Sequence, residues 1–165
     1  MKKALIIIDV QKGFINKNTK DIVKKIRNYI IKNKYKYDLV IFTKYINHKD
    51  SNFVKSLDWH GFMSKEENDI ADEIIEFVDS KSLFIKDTYG SFVDNKLYSL
   101  LKKYKIDQVE LAGFDTENCV LTFARDAFDR GMSVVVLKNL CASHSNDKLH
   151  RAALEIIKNN IGKIK

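Results

Sequence analysis

Apolar residues recur along the chain with two alternating periods. Unbroken apolar runs occur at Ala4-Leu5-Ile6-Ile7-Ile8, Leu39-Val40-Ile41-Phe42 and Val134-Val135-Val136-Leu137. Such runs mark strands buried on both faces, as in parallel sheets. Leu83-Phe84-Ile85, ending at Lys86, and the segment from Gln108 to Ala112 add two more strands. Between the strands the spacing becomes helical. Ile22, Val23, Ile26, Ile30 and Ile31 share a face over residues 20–33, and Ile70, Ile74 and Phe77 predict a short helix over 66–77. Val93, Leu97, Leu100 and Leu101 do the same over 93–104. After Gly113 a strongly patterned helix turns Val120, Phe123, Ala124, Ala127 and Phe128 inward and Arg125, Asp126, Asp129 and Arg130 to water; Gly131 ends it as a left-handed cap would. A last helix is predicted over 148–160. Strands alternating with helices imply right-handed βαβ units, a parallel sheet and an α/β architecture. No repeat, linker or composition break divides the chain, so residues 1–165 are expected to form one domain. Proline is absent, leaving the turns to Gly, Asn, Asp and Ser.

Composition narrows the picture. A chain of 165 residues with 45% hydrophobic and 31% charged residues suits a globular protein with a substantial core. A chain of that size buries roughly two-thirds of its unfolded surface and needs neither disulfide nor metal for stability. The net charge of +7 invites a nucleic-acid reading. The lysines, however, are scattered among Asn, Ile and Tyr and accompany no recognition motif, so no nucleic-acid partner is expected. Cys119 and Cys141, with no CxxC spacing, suggest neither a disulfide framework nor a zinc site. The first apolar run is short and ends in Asp9, unlike a signal peptide, and no run approaches ~18 apolar residues. A soluble protein of the reducing cytoplasm, without a membrane partner, is expected.

In open parallel sheets, ligands bind beyond the carboxyl ends of the strands. Asp9 follows the first strand, Lys86 the third, and Cys119 lies just past the fourth, in the first turn of the helix after Gly113-Phe114-Asp115-Thr116-Glu117-Asn118. Unpaired backbone N–H groups at a helix start, and a nearby ammonium, favour a thiolate. A carboxylate can take the thiol proton and later activate water. Taken singly, each residue has an ordinary structural explanation: a buried thiol, a turn aspartate, an edge lysine. Together at corresponding strand ends they supply a nucleophile, a base and a positive partner. Cys141 also follows a strand but has no such helix start beside it, and is read as structural.

At these residues the sequence resembles the isochorismatase-like cysteine hydrolases, a group that includes nicotinamidases and carbamoyl-amide hydrolases. The resemblance runs from about Ala4 to Ile157 on ALIIIDVQKGFIN, KDTYGSF and ELAGFDTENCVLTFARDAFDRGMSVVVLKNLCAS. It implies a three-layer α/β/α fold with a parallel sheet in the order 3-2-1-4-5, often with a sixth strand. It also implies a catalytic triad of Asp9, Lys86 and Cys119, and a cis peptide at Phe114–Asp115. That peptide would aim the Asp115 N–H, with that of Cys119, at a developing oxyanion. The implied activity is cleavage of a C–N bond in a small amide or carbamoyl substrate through a thioester. Assembly as a homo-oligomer is implied too.

Nicotinamidases of this group carry a metal held by an Asp-x-His pair after strand two and a further histidine. Here the loop reads YINHKDSNFVKSLDWHGF, and His48, Asp50 and His60 differ from that pattern in order and spacing. Neither a metal nor any other cofactor is expected. Phe14, Trp59, Phe62, Tyr89 and Phe114 are candidates to line a substrate pocket, with Phe92 as readily a core residue. His144 is placed at a pocket rim or in solvent, and His150 at a helix start. Isochorismatase proper, a vinyl-ether hydrolase, is an alternative that Cys119 disfavours, because members of that type generally lack the cysteine. A non-catalytic binding or scaffold protein and a redox-sensing thiol are the others.

Overall fold

A computed structural model describes residues 1–165. Six parallel strands form one sheet: β1 (Lys3–Ile8), β2 (Leu39–Tyr45), β3 (Leu83–Lys86), β4 (Gln108–Gly113), β5 (Ser133–Cys141) and β6 (Lys163–Ile164). Their order is β3-β2-β1-β4-β5-β6, as the resemblance implied, with the sixth strand beyond β5. The helices are α1 (Lys20–Asn33), α2 (Asn52–Leu57), α3 (Lys65–Asn68), α4 (Lys96–Lys103), α5 (Leu121–Asp129) and α6 (Asp147–Asn160).

The unbroken apolar character of β1 has a direct cause. Alternate side chains enter opposite layers. Ala4, Ile6 and Ile8 meet Leu97 and Leu101 of α4 and Phe123 and Ala127 of α5, whereas Leu5 and Ile7 meet Val23, Ile26 and Ile30 of α1. Both layers are large, so a polar residue at any of these β1 positions would lack a water-facing side.

Several expectations need correction. The segment over 66–77 is not one helix. It contains α3, an isolated antiparallel bridge from Ile70 to Gln11, and a tight turn at Ile75–Phe77. The amide of Lys12 binds the Asp69 carbonyl and that of Ala71 the Val10 carbonyl, so tertiary pairing overrides the helical spacing. Helix α4 begins only at Lys96, after Asn95 with φ of 58°, which leaves Val93 exposed. Ile31 and Phe128 lie toward solvent rather than in the core. Helix α5 begins later than the pattern suggested, because a wider turn occupies Thr116–Val120.

Candidate active site

The carboxyl ends of β1, β2, β3 and β4 converge on one rim. Asp9 follows β1 with φ of 50°, a left-handed conformation open to Asp at modest cost. The turn buries its carboxylate completely. Thr43 Oγ1 donates to Asp9 Oδ1 at 2.6 Å, and Lys86 Nζ lies 2.7 Å from Asp9 Oδ2. Lys86, the last residue of β3, also donates to Cys119 Sγ at 3.3 Å and to the Thr88 carbonyl at 2.9 Å. The ammonium thus has two hydrogen-bond acceptors and one ion-pair partner. The structure therefore brings Asp9, Lys86 and Cys119 together, though they are far apart in sequence.

Cys119 is carried by the turn Thr116–Val120, which is closed by the Asn118 and Val120 amides donating to the Asp115 carbonyl. Thr116 secures the turn from below. Its N–H donates to the Ala142 carbonyl, and its hydroxyl lies 2.8 Å from His150 Nδ1 on α6. His150 thus packs at a helix start, and burial lowers its pKa.

The charge state of the thiol departs from the sequence reading. Burial pushes the Cys119 pKa well above its ordinary value; Lys86 pulls it down and Asp9 pushes it up. A helix start and an ammonium do not outweigh the loss of water. Burial and Asp9 thus oppose ionisation of the thiol, and Lys86 favours it. For Lys86 burial works against the charge, but Asp9 and then Cys119 more than offset it and the pKa is raised. Cys141 is likewise buried and pushed up to about 12, its Sγ directed at the Leu111 carbonyl.

The peptide between Phe114 and Asp115 is cis. The Asp115 N–H has no hydrogen-bond partner within the chain. The Asp115 carboxylate accepts the His144 backbone N–H at 2.8 Å and meets His144 Nδ1 at 2.6 Å. That hydrogen bond raises the His144 pKa, with burial opposing it.

A cavity of about 280 Å³ opens over Cys119, lined by Phe14, Tyr45, Phe53, Leu57, Trp59, Tyr89, Asp115, Asn118, Cys119 and His144. Phe14, Trp59 and Tyr89 stand where the sequence put them. Phe62 and Phe114 do not line it. Phe62 is wedged between Gly13 and Phe14, its ring centroid 4.1 Å from that of Phe14, and Phe114 is wholly buried on the α1 side of the sheet. Phe92 packs in the other layer, 4.8 Å from Phe123. Sequence reasoning missed Thr43, Tyr45, Phe53, Leu57 and Asn118, and left His144 without a role. The strand-end rule that found Asp9 and Lys86 applies equally to Thr43 and Tyr45 at the end of β2.

The residues of the loop after β2 do not fit the metal that nicotinamidases carry. His48 lies 3.3 Å from Asp87 and His60 lies 2.9 Å from Asp58, while Asp50 pairs with neither. No three His, Cys, Asp or Glu side chains converge at a spacing that could hold an ion.

The family model for the isochorismatase domain matches residues 3–164, and the chain belongs to that family of hydrolases. A curated relative, the isochorismatase family protein YrdC of Bacillus subtilis, is 27% identical over 161 residues, covering 92% of this chain and 82% of its own. Nicotinamidase PncA from Bacillus subtilis is 28% identical with a TM-score of 0.84, covering 100% of this chain and 99% of that one. N-carbamoylsarcosine amidase from Thermoplasma acidophilum shares the fold, with 22% identity, a TM-score of 0.81, and coverage of 100% of this chain and 96% of its own. Relatives of these two kinds are hydrolases of amide C–N bonds. No helix of the chain is long and apolar enough to cross a membrane.

Proposed function

We propose that this chain hydrolyses the C–N bond of a small amide or carbamoyl compound through a thioester on Cys119. The observation that carries the reading is the single ammonium of Lys86 held 2.7 Å from Asp9 and 3.3 Å from a thiol that faces a cavity. The amidases among the relatives support the same class of bond.

The chemistry follows from the charge states. Asp9 takes the Cys119 proton as the sulfur attacks the carbonyl carbon. A buried thiol with a raised pKa makes a preformed thiolate costly, so proton transfer accompanies attack. The carbonyl π electrons move to oxygen, and the oxyanion accepts hydrogen bonds from the N–H groups of Asp115 and Cys119. A well-aimed donor of that sort contributes ~3–4 kcal/mol to the transition state. The tetrahedral adduct collapses, the C–N bond breaks, and the amine leaves with the proton held by Asp9. Water then gives a proton to Asp9 and adds to the thioester. The C–S bond breaks, the acid or carbamate departs, and the proton returns to sulfur. Lys86 remains charged throughout and keeps Asp9 oriented. Phe14, Trp59 and Tyr89, with Phe53 and Leu57, hold the acyl group.

The test is a screen of small primary amides and carbamoyl compounds for ammonia release by the wild type and by Cys119→Ala. We expect turnover that falls by at least ~1,000-fold in the variant, as for loss of an essential nucleophile, with thermal melting little changed. Turnover that survives in Cys119→Ala removes the nucleophile assignment.

A further inference from the structure

Asp115 carries two groups with opposed effects on acyl transfer. It lines the cavity over Cys119, and its backbone N–H has no partner within the chain. Its carboxylate, on the same residue, is only 3% exposed. The N–H stabilises a developing oxyanion, whereas a negative charge buried so close to it does the opposite, because little water lies between to screen it. An oxyanion donor borne by an aspartate therefore works best when the carboxylate is neutralised.

His144 meets that need. Its backbone N–H donates to Asp115 Oδ1 at 2.8 Å and its ring Nδ1 lies 2.6 Å from Oδ2, so one residue engages both carboxylate oxygens. Asp115 has no other ion-pair partner. His144 is itself fastened. Its carbonyl accepts from the carboxamides of Asn16 at 2.7 Å and Asn18 at 3.2 Å, and its ring stands edge-on to Phe14 with centroids 5.1 Å apart. The hydrogen bond to Asp115 raises the His144 pKa, burial opposes it, and the fields of Asp115 and Glu117 add to the rise. Glu117, the other carboxylate facing the ring, accepts from the Ser143 hydroxyl at 2.6 Å, and burial raises its pKa.

We infer that His144 is a positioning residue of the acylation step: as an imidazolium it cancels the charge of the Asp115 carboxylate, which leaves the Asp115 N–H free to receive the oxyanion. The inference deepens the hydrolase reading and rests on its acyl-transfer step. Below the His144 pKa the Asp115–His144 pair is neutral. As the pH rises through that value, which lies above the ordinary ~6.5, the carboxylate is left uncancelled and acylation is opposed.

The test is acylation of Cys119 by p-nitrophenyl acetate, which does not depend on the natural substrate. The carbon–sulfur bond forms, the bond to p-nitrophenolate breaks, and the thiol proton passes to Asp9. Rates are measured across pH for wild type, His144→Gln, Asp115→Asn and the double variant, each corrected for the background reaction of Cys119→Ala. Comparing the proteins at the same pH cancels the ionisation of the thiol that they share. We expect His144→Gln to acylate about tenfold more slowly than wild type at about pH 6, the effect of one partly screened charge near the oxyanion. The two should converge well above the His144 pKa. Adding Asp115→Asn to His144→Gln should restore most of the loss, which a merely structural role for His144 would not allow. The inference is overturned by a His144→Gln deficit equal at every pH, by failure of Asp115→Asn to restore the rate, by four proteins that acylate alike, or by no acylation that depends on Cys119. If Asp115→Asn is insoluble, convergence of wild type with His144→Gln decides alone. Ammonia release from an amide without that convergence removes this inference and leaves the hydrolase reading standing; convergence with no amide turned over does the reverse.

Discussion

Lys86 pairs with Asp9 and donates to Cys119 and Thr88, and its side chain and that of Asp9 are almost wholly withdrawn from water. Breaking such a pair strands a charge. Asp9→Asn should lower stability by ~3–5 kcal/mol and remove activity, and Lys86→Met should behave likewise. The double variant Asp9→Asn/Lys86→Met should be much less unstable than the sum, because no charge is left buried alone; urea midpoints of the four proteins give the coupling. The thiol makes a second prediction. With its pKa raised by burial, the thiolate fraction of Cys119 is small and grows about tenfold per pH unit, so alkylation by iodoacetamide should climb without a plateau between about pH 7 and pH 10. A plateau below about pH 8 would mean a thiolate already formed at neutrality. Cys141, deep in the sheet, should react only on unfolding. At this scale the sequence disclosed which residues meet, because strand ends are legible as the last residue of an apolar run. It did not disclose the charge state of the thiol, since burial belongs to the assembled protein and not to the turn that carries Cys119. Tyr45 escaped notice because an aromatic at a strand end reads as core until the cavity beside it is seen.

The elements themselves were legible wherever one side chain in two or in four faced a packed layer. Helix α1 was expected over residues 20–33 and is Lys20–Asn33. Where neighbours from elsewhere in the chain decide the conformation, as at Asp69-Ile70-Ala71 against Val10-Gln11-Lys12, helical spacing misled. The junction of β4 with the nucleophile turn depends on one local requirement. Gly113 has φ of 125°, and a Cβ there would come within 2.0 Å of the Ile8 carbonyl oxygen. Both the conformation and the approach need glycine. Gly113 also pairs with Ile8 in the sheet, so Asp9 and the Phe114–Asp115 peptide are set by the same contact. Gly113→Ala should therefore be destabilising by more than ~3 kcal/mol, visible as a large drop in urea midpoint or as insoluble protein. Gly131→Ala, where φ is 78° but nothing lies within 4 Å of the added carbon, should cost only ~1 kcal/mol.

Across the whole molecule the sheet has two chemically different ends. The carboxyl ends hold Asp9, Lys86 and Cys119 beside a cavity. Nearer the amino ends a second buried carboxylate, Glu110 of β4, is fully engaged in structure. It accepts from Tyr37 Oη at 2.7 Å and from Gln108 Nε2 at 2.8 Å, and lies 3.4 Å from Lys165 Nζ and 3.9 Å from Lys3 Nζ. Tyr37 continues the network to Tyr29 on α1 at 2.7 Å. These contacts join β1, β4, α1 and the chain after β6, and none opens onto a cavity that Cys119 shares. Both carboxylates are buried, but only Asp9 shares its ammonium partner with a thiol. Glu110→Ala would leave the Gln108 amide without its acceptor and cut the Tyr37 hydroxyl off from β4, with only Tyr29 left to meet it, at a cost of about 2–4 kcal/mol in stability. Because the substitution lies away from the rim, turnover per folded molecule should stay within about twofold of wild type, in contrast to its loss in Asp9→Asn. The measurement is a urea midpoint paired with an ammonia-release rate normalised to the folded fraction. A Glu110→Ala protein that folds normally but has lost activity would show that the two ends are coupled through the strands, and the separation of structure from chemistry along β4 would then fail.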